Sequence, residues 1–369
     1  MAESAPGLEL ARRPVEILRA ASAGPRRTVH AVLDVGAALD RPTVEAVQVA
    51  GSDIMTVRAR AGSDAARLVA AVAQISASAA AGVRFEGLLD LTVARQVLDG
   101  VSYVAGSPLQ ALAMTPEADA TALLADYRAM AKLCPVGAVR EIAAAPVVAA
   151  PGPLLALHLA DAALSCDPSG IVVLSVAATG NLIQDVAAVH VLRAVLEELG
   201  AELGLPQAVV LSMSQWPGRP AELPTNRFAT AAAGATAAAL SDVSQVVVGS
   251  LGSVTAPSDG SLPDSVAVTR QTLDMLVDQH LEPSQQLRTE IELTRAELHE
   301  TLSRIRGADS SSLQEAAQRC AVDGLFSPGP RSLLAPFAVR DGLGRVRSVP
   351  VTAPGAWSVG DELPRWPRR

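Results

Sequence analysis

The feature that most constrains this chain is an alternation. Short aliphatic runs recur between longer amphipathic stretches through most of the sequence. Strands are predicted over residues 29–34, 54–59, 82–88, 101–104, 171–176, 208–213 and 246–249. Helices are predicted over 42–50, 64–80, 116–132, 153–165, 182–199, 222–240 and 263–279. Strand and helix alternating at this spacing imply parallel βαβ units. The strand runs are apolar along their length, as expected where both faces of a sheet are covered. Seven units are countable, and residues 136–150 have room to hide another strand. A (β/α)8 barrel is the leading architecture. A doubly wound open sheet is the runner-up, but its glycine fingerprint is absent.

Composition narrows the function classes. Of 369 residues, 49% are apolar and 2% aromatic, so the core is built from Val, Leu, Ile and Ala, and platforms for stacking bases or sugars are excluded. The net charge of -8, with Lys132 the single lysine, argues against a nucleic-acid face. Cys134, Cys166 and Cys320 form no CxxC, which fits a reducing cytoplasm and excludes a zinc knuckle. The first residues (MAESAPGLELARRP) carry charges where a signal peptide needs an apolar run. No stretch has the length and hydrophobicity expected of a membrane span.

The texture changes after Gln279. Pro283 and Ser284 precede a long helix over 285–306, with Leu287, Ile291, Leu298, Leu302 and Ile305 as its apolar stripe and Gly307 as its stop. The tail from Leu325 to Arg369 is rich in Pro, Gly and Arg. The expected organisation is an N-terminal segment (1–27), a barrel (28–282), and a C-terminal helix with an extended tail (283–369).

Most motifs that announce chemistry are missing: there is no Walker loop, G-x-S-x-G or H-E-x-x-H. The five histidines are scattered and no metal site is expected. A Schiff-base aldolase would need a lysine in the barrel, and Lys132 sits late in a helix. Three places remain. In Thr179-Gly180-Asn181-Leu182-Ile183-Gln184-Asp185, Asn181 is a good N-cap, Gln184 stands at the capping-box position, and Asp185 suits a positive helix end. That segment reads as a well-built βα turn, and its place on a barrel's C-terminal face also makes it a site candidate. The Gly249-to-Thr255 loop is small and polar, able to meet a ligand through backbone N–H groups. Arg58-Ala59-Arg60-Ala61-Gly62 ends a strand, where an arginine can grip a carboxylate with two hydrogen bonds. Asp34 ends the preceding strand.

These residues carry a family resemblance. The run from Gly180 through Asp185 to Ala188 resembles a segment of the large (epsilon) subunit of coenzyme B12-dependent glutamate mutase (methylaspartate mutase). Gln215-Trp216 and Gly218 resemble that family's H-Q-W-M-G-G, with Ser214 in place of histidine. Thr269 to Leu276, Phe326-Ser327-Pro328, and Arg340-Asp341 through Arg347 match in order downstream. Ala59-Arg60 with Gly62 resembles A-R-H-G, Arg140-Glu141 resembles N-R-E, and Val101-Ser102-Tyr103 resembles I-S-Y.

The resemblance implies a TIM-type barrel, divergent and shortened at its N-terminal strands. Such a barrel would be open at one edge, with the stretch Leu8–Ala21 or another chain filling the gap. The implied activity is an adenosylcobalamin-dependent carbon-skeleton isomerisation of the glutamate/3-methylaspartate type. A separate small subunit would carry the cobalamin ligand, and a homodimer could form within the hetero-oligomer. Arg60 and Tyr103 are implied in binding substrate. Asp34, Pro220, Gly249 and Ser253 fall where the family contacts its cofactor, though the family's lysine and glutamate are replaced by Gly249 and Ser253. The alternative is a catalytically degenerate barrel, kept as an assembly or regulatory partner.

Overall fold

The computed structural model describes residues 16–21, 26–34, 41–60, 63–76, 80–86, 91–98, 101–114, 119–133, 139–143, 151–165, 172–178, 181–200, 209–215, 224–249, 261–277, 279, 282–307, 312–323, 337–340 and 346–349. Eight parallel strands pair in sequence order and close on themselves. They are β1 (Thr28–Asp34), β2 (Ile54–Arg60), β3 (Ala80–Glu86), β4 (Tyr103–Ala105), β5 (Val139–Ala143), β6 (Val172–Ala177), β7 (Val209–Ser214) and β8 (Gln245–Gly249). The seam joins first to last, with Thr28 opposite Gln245 and Val32 opposite Gly249. The expected gap at the N-terminal strands is therefore corrected. This chain supplies all eight strands, and β5 is the one that lay hidden within 136–150.

A short helical segment over residues 16–21 (α1) precedes the barrel. Next come α2 (Arg41–Val49), α3 (Ala65–Ser76), α4 (Leu91–Leu98), α5 (Pro108–Met114), α6 (Ala120–Leu133) and α7 (Pro151–Ser165). They are followed by α8 (Leu182–Leu199), α9 (Pro224–Leu240), α10 (Ser261–Met275), α11 (Gln285–Arg306) and α12 (Leu313–Val322). A separate antiparallel pair, β9 (Phe337–Arg340) and β10 (Val346–Val349), lies in the tail. Among the described residues, no helix is long and apolar enough to cross a membrane.

Side-chain alternation sorts each strand into two faces. Val29, Ala31, Leu33, Met55, Val57, Val83, Leu174, Val176, Leu211, Met213, Val246 and Val248 join the large core shared with the helices. The other parity faces the barrel axis. At its lower end Ile54, Ala80, Tyr103, Ala105, Val139, Val173 and Val210 form a second, smaller core. Leu18 of α1 is fully buried in that cluster. So α1 sits beneath a finished floor, not in a missing strand's place.

Helix ends follow the sequence signals. Asn181 caps α8, its side chain accepting from Gln184 N at 3.4 Å. Ser284 and Ser312 cap α11 and α12 in the same way. Gly307 ends α11 with φ +59°, a conformation that costs glycine little. α11 packs on α7 and α8 through Thr294, Leu298, Leu302 and Ile305.

Arg270 locks the seam from α10. Its Nη1 donates to Arg27 O at 2.9 Å, its Nη2 to Gly51 O at 2.8 Å, and Nη2 also to the Asp53 carboxylate. Asp53 in turn accepts from Val29 N at 2.9 Å. One buried guanidinium thus ties the helix after β8 to the starts of β1 and β2.

Candidate functional site

The axis-facing residues above the apolar floor are polar. Gln245 (β8), His30 (β1), Thr56 (β2), Tyr103 (β4) and Glu141 (β5) are all buried, and Arg84 (β3) is nearly so. Gln245 Nε2 donates to His30 Nδ1 at 3.1 Å and to the Tyr103 hydroxyl at 2.9 Å. The other ring nitrogen, Nε2, then carries the histidine's proton and donates to Thr56 Oγ1 at 2.8 Å. Tyr103 donates to Glu141 Oε2 at 3.0 Å, and Arg84 Nη2 donates to Glu141 Oε1 at 2.7 Å. The His30 and Tyr103 rings meet edge to face, their centroids 4.8 Å apart. Gly82 makes this possible. A Cβ there would lie 2.7 Å from Tyr103 Cβ and 2.8 Å from Thr56 Cγ2.

Charges in this layer are set by enclosure and pairing. Burial pushes His30 down to about 3, so the ring is neutral at physiological pH despite the carboxylate beside it. Burial and the Glu141 charge hold the Tyr103 phenol well above its ordinary value. Burial alone would raise Glu141. The Arg84 charge and the bonds from Arg84 and Tyr103 outweigh it, and the carboxyl lies below its ordinary value. The result is one ion pair, Arg84–Glu141, inside a neutral hydrogen-bonded ring.

The C-terminal strand ends form the rim. Asp34, Arg60 and Gly249 end β1, β2 and β8, which are consecutive around the barrel. Register pairs Asp34 with Arg58 and Arg60 with Glu86. Arg58 has the parity of Thr56 and faces the axis. Its Nη2 lies 3.5 Å from where a Cβ on Gly249 would stand. Three of the expected residues are thus gathered on one arc. Tyr103 begins β4 within the floor network, below that arc, and is fully buried. Pro220 and Ser253 lie outside the described residues.

Two segments singled out by sequence prove to be scaffolding in their contacts. Asn181 is a helix cap. Gln215, the glutamine of the Q-W pair, donates to Ala231 O at 2.9 Å and Thr269 Oγ1 at 2.7 Å, joining α9 to α10. The residues missed were His30, Thr56, Arg84, Glu141 and Gln245. Their signal was a polar residue set into an otherwise apolar strand, on the parity that faces the axis.

The comparisons with known proteins bear on the second half of the chain. The profile of the methylaspartate mutase E chain (MutE) family matches residues 163–360, more than half of the 369 residues. The chain belongs to the methylaspartate mutase E chain family. The match opens at the end of α7 and includes β6, β7, β8 and helices α8 to α12. A relative named glutamate mutase epsilon subunit, from Desulfitobacterium hafniense (strain Y51), is 30% identical over 177 residues. That stretch is 46% of this chain and 36% of the relative, so the chain aligns with about a third of the relative's length. Among solved structures, the chain is similar to tryptophan synthase subunit alpha from Legionella pneumophila, at 12% identity and TM-score 0.41 over 71% of this chain and 98% of that one. It is also similar to (S)-3-O-geranylgeranylglyceryl phosphate synthase from Thermoplasma acidophilum, at 13% identity and TM-score 0.40 over 70% and 97%.

Proposed function

We propose that this chain is the barrel subunit of an adenosylcobalamin-dependent mutase. It would isomerise the carbon skeleton of an amino or carboxylic acid together with a small cobalamin-binding subunit. The observation that carries the reading is the family match across β6 to β8 and the helices that follow. The barrel adds support, because its mouth gathers Arg58, Arg60, Asp34 and Gly249 on adjacent strands. Arg60 is the residue proposed to grip the substrate carboxylate, with Arg58 beside it on the same strand.

The rim suits a flat, bulky group. Gly249 carries no side chain, and among the described residues a Cβ there would meet just one atom within 4 Å, the Arg58 Nη2. Asp34, Gly249, Pro220 and Ser253 are the proposed cofactor contacts. When bound, adenosylcobalamin supplies hydrogen-atom abstraction by a 5′-deoxyadenosyl radical. The protein's share is to bind and orient the acid, and the packed floor closes the axis to water from below.

The test mixes the chain with a small D-x-H-x-x-G cobalamin-binding protein and adenosylcobalamin. Candidate acids are added, and a paramagnetic cobalt signal is sought. The reading expects a substrate-dependent signal that Arg60→Ala abolishes. Failure of any acid to elicit it, with cofactor bound, overturns the proposal.

A further inference from the structure

Each of the eight strands sends at least one polar side chain to the barrel axis. In strand order these include His30, Thr56, Arg84, Tyr103, Glu141, Ser175, Ser212 and Gln245. Six of them form the hydrogen-bonded network described above. Ser175 and Ser212 stand apart from it. Among the described residues their one side-chain hydrogen bond is to each other, at 3.5 Å. That is well beyond the usual O–H···O length of about 2.7–2.8 Å, so both hydroxyls keep bonding capacity. Both residues are fully buried. Short side chains on two adjacent strands also leave space in a barrel interior that Val, Ile and Leu ordinarily fill.

Gln245 brings an acceptor to the same layer. Its partners fix the orientation of its amide. Tyr103 gives its proton to Glu141 at 3.0 Å, so the phenol oxygen can only accept, and the edge of Gln245 that meets it at 2.9 Å is the NH2. The second N–H goes to His30 Nδ1 at 3.1 Å. Both donors are then spent on β4 and β1. Oε1 is left buried with no hydrogen-bond partner among the described residues. A buried carbonyl of that kind is costly unless something donates to it. On its other side Gln245 is paired in register with Ser212 of β7, which is paired in turn with Ser175 of β6. The Arg84–Glu141 pair is already balanced at 2.7 Å, and these three groups are neutral, so a neutral ligand suits them.

We propose that a buried water molecule is built into the barrel between β6, β7 and β8, donating to Gln245 Oε1 and bonded to the hydroxyls of Ser212 and Ser175. A buried water needs about two to four polar partners. Here one carbonyl can only accept, and two hydroxyls turn to give or take. The water carries the network from Gln245 to β6 and β7, so that all eight strands join one circuit about the axis. The site lies in the closed layer beneath the mouth and does not depend on what the mouth binds.

A high-resolution crystal structure of the full chain tests this. The expected result is a density peak about 2.7–3.2 Å from Gln245 Oε1 and from at least one of the two serine oxygens. The Ser175→Ala/Ser212→Ala double variant should lose the peak and keep the fold, because the contact it removes is the long one between the two hydroxyls. An empty map at that place in the parent would overturn the proposal. So would a peak that touches the serines without Gln245, or one that persists in the double variant. Urea unfolding gives a second readout in solution. Ser212 and Gln245 share no side-chain hydrogen bond among the described residues. Ser212→Ala and Gln245→Met should nonetheless be coupled through the water, their joint effect on the unfolding constant departing from the product of the single effects by about threefold or more. Effects that simply multiply would overturn the proposal as well.

Discussion

The Tyr103 hydroxyl donates to Glu141 across 3.0 Å in the closed interior of the barrel, and Arg84 reaches the same carboxylate from the next-but-one strand. Glu141 is fully buried and Arg84 nearly so, which makes the pair costly to break from one side. Glu141→Gln should destabilise the chain by about 3–5 kcal/mol by leaving the guanidinium without its counter-charge. Tyr103→Phe, which removes a hydroxyl but no charge, should cost about 1–3 kcal/mol. Urea unfolding followed by circular dichroism measures both, and equal losses would contradict the ordering.

Arg270 presents a different case, a guanidinium bonded mainly to backbone carbonyls at the seam. Arg270→Lys keeps the charge and loses the planar fork that reaches Arg27, Gly51 and Asp53 together. We expect a loss of about 1–2 kcal/mol for the lysine and a larger loss for Arg270→Ala. Hydrogen exchange should rise first in β1 and the start of β2 if the seam is what opens.

Leu18 closes the floor from outside the barrel proper. Leu18→Ala should cost about 2–5 kcal/mol, as for other fully enclosed leucines. Deleting residues 1–21 should cost at least as much while leaving the far-ultraviolet spectrum that of a barrel. A truncated chain as stable as the parent would show that α1 contributes nothing to the core.

Acid should destabilise the fold through two histidines. Burial lowers His30 to about 3 and His158 to about 4 from an ordinary 6.5. Below pH 6.5 the unfolded chain takes up protons that the folded chain refuses, so stability present above 6.5 is lost as pH falls toward 4 and 3. Asp161 acts in the opposite sense. Burial, against bonds from Ser107 Oγ and Leu109 N, raises it to about 7, so its contribution is greatest below 3.8 and fades as pH rises through 7. Neither ring nitrogen of His158 has a hydrogen-bond partner among the described residues. His158→Leu should remove about 2 kcal/mol of the stability lost between pH 7.5 and 5, as read from urea midpoints. Asp161→Asn should steepen the acid loss over the same range.

The barrel was legible because the alternation of apolar run and amphipathic stretch repeats at nearly constant spacing. β5 was blurred because Arg140 and Glu141 interrupt its apolar run, and Glu141 is buried by pairing rather than by hydrophobicity. The stretch around α4 and α5 was obscure since both helices are short, at 8 and 7 residues, and propensity says little over so few turns. α12 fell between the predicted long helix and the tail from residue 325, in a stretch given no element, although Ser312 and Glu315 spell a capping box. At the site, the strand-end residues could be named because a barrel's function gathers at one face. The network that joins Tyr103 to its partners could not be read, because its members come from six strands far apart in the chain. Only closure of the sheet makes His30 a neighbour of Gln245.

A barrel floored by Leu18 and plugged above it by Tyr103, Gln245 and Glu141 is a blind well. Whatever enters the mouth leaves by the mouth, so on the mutase reading proposed above turnover would be gated by whatever sits on top. A reactive species formed there would have no back door through which to be quenched.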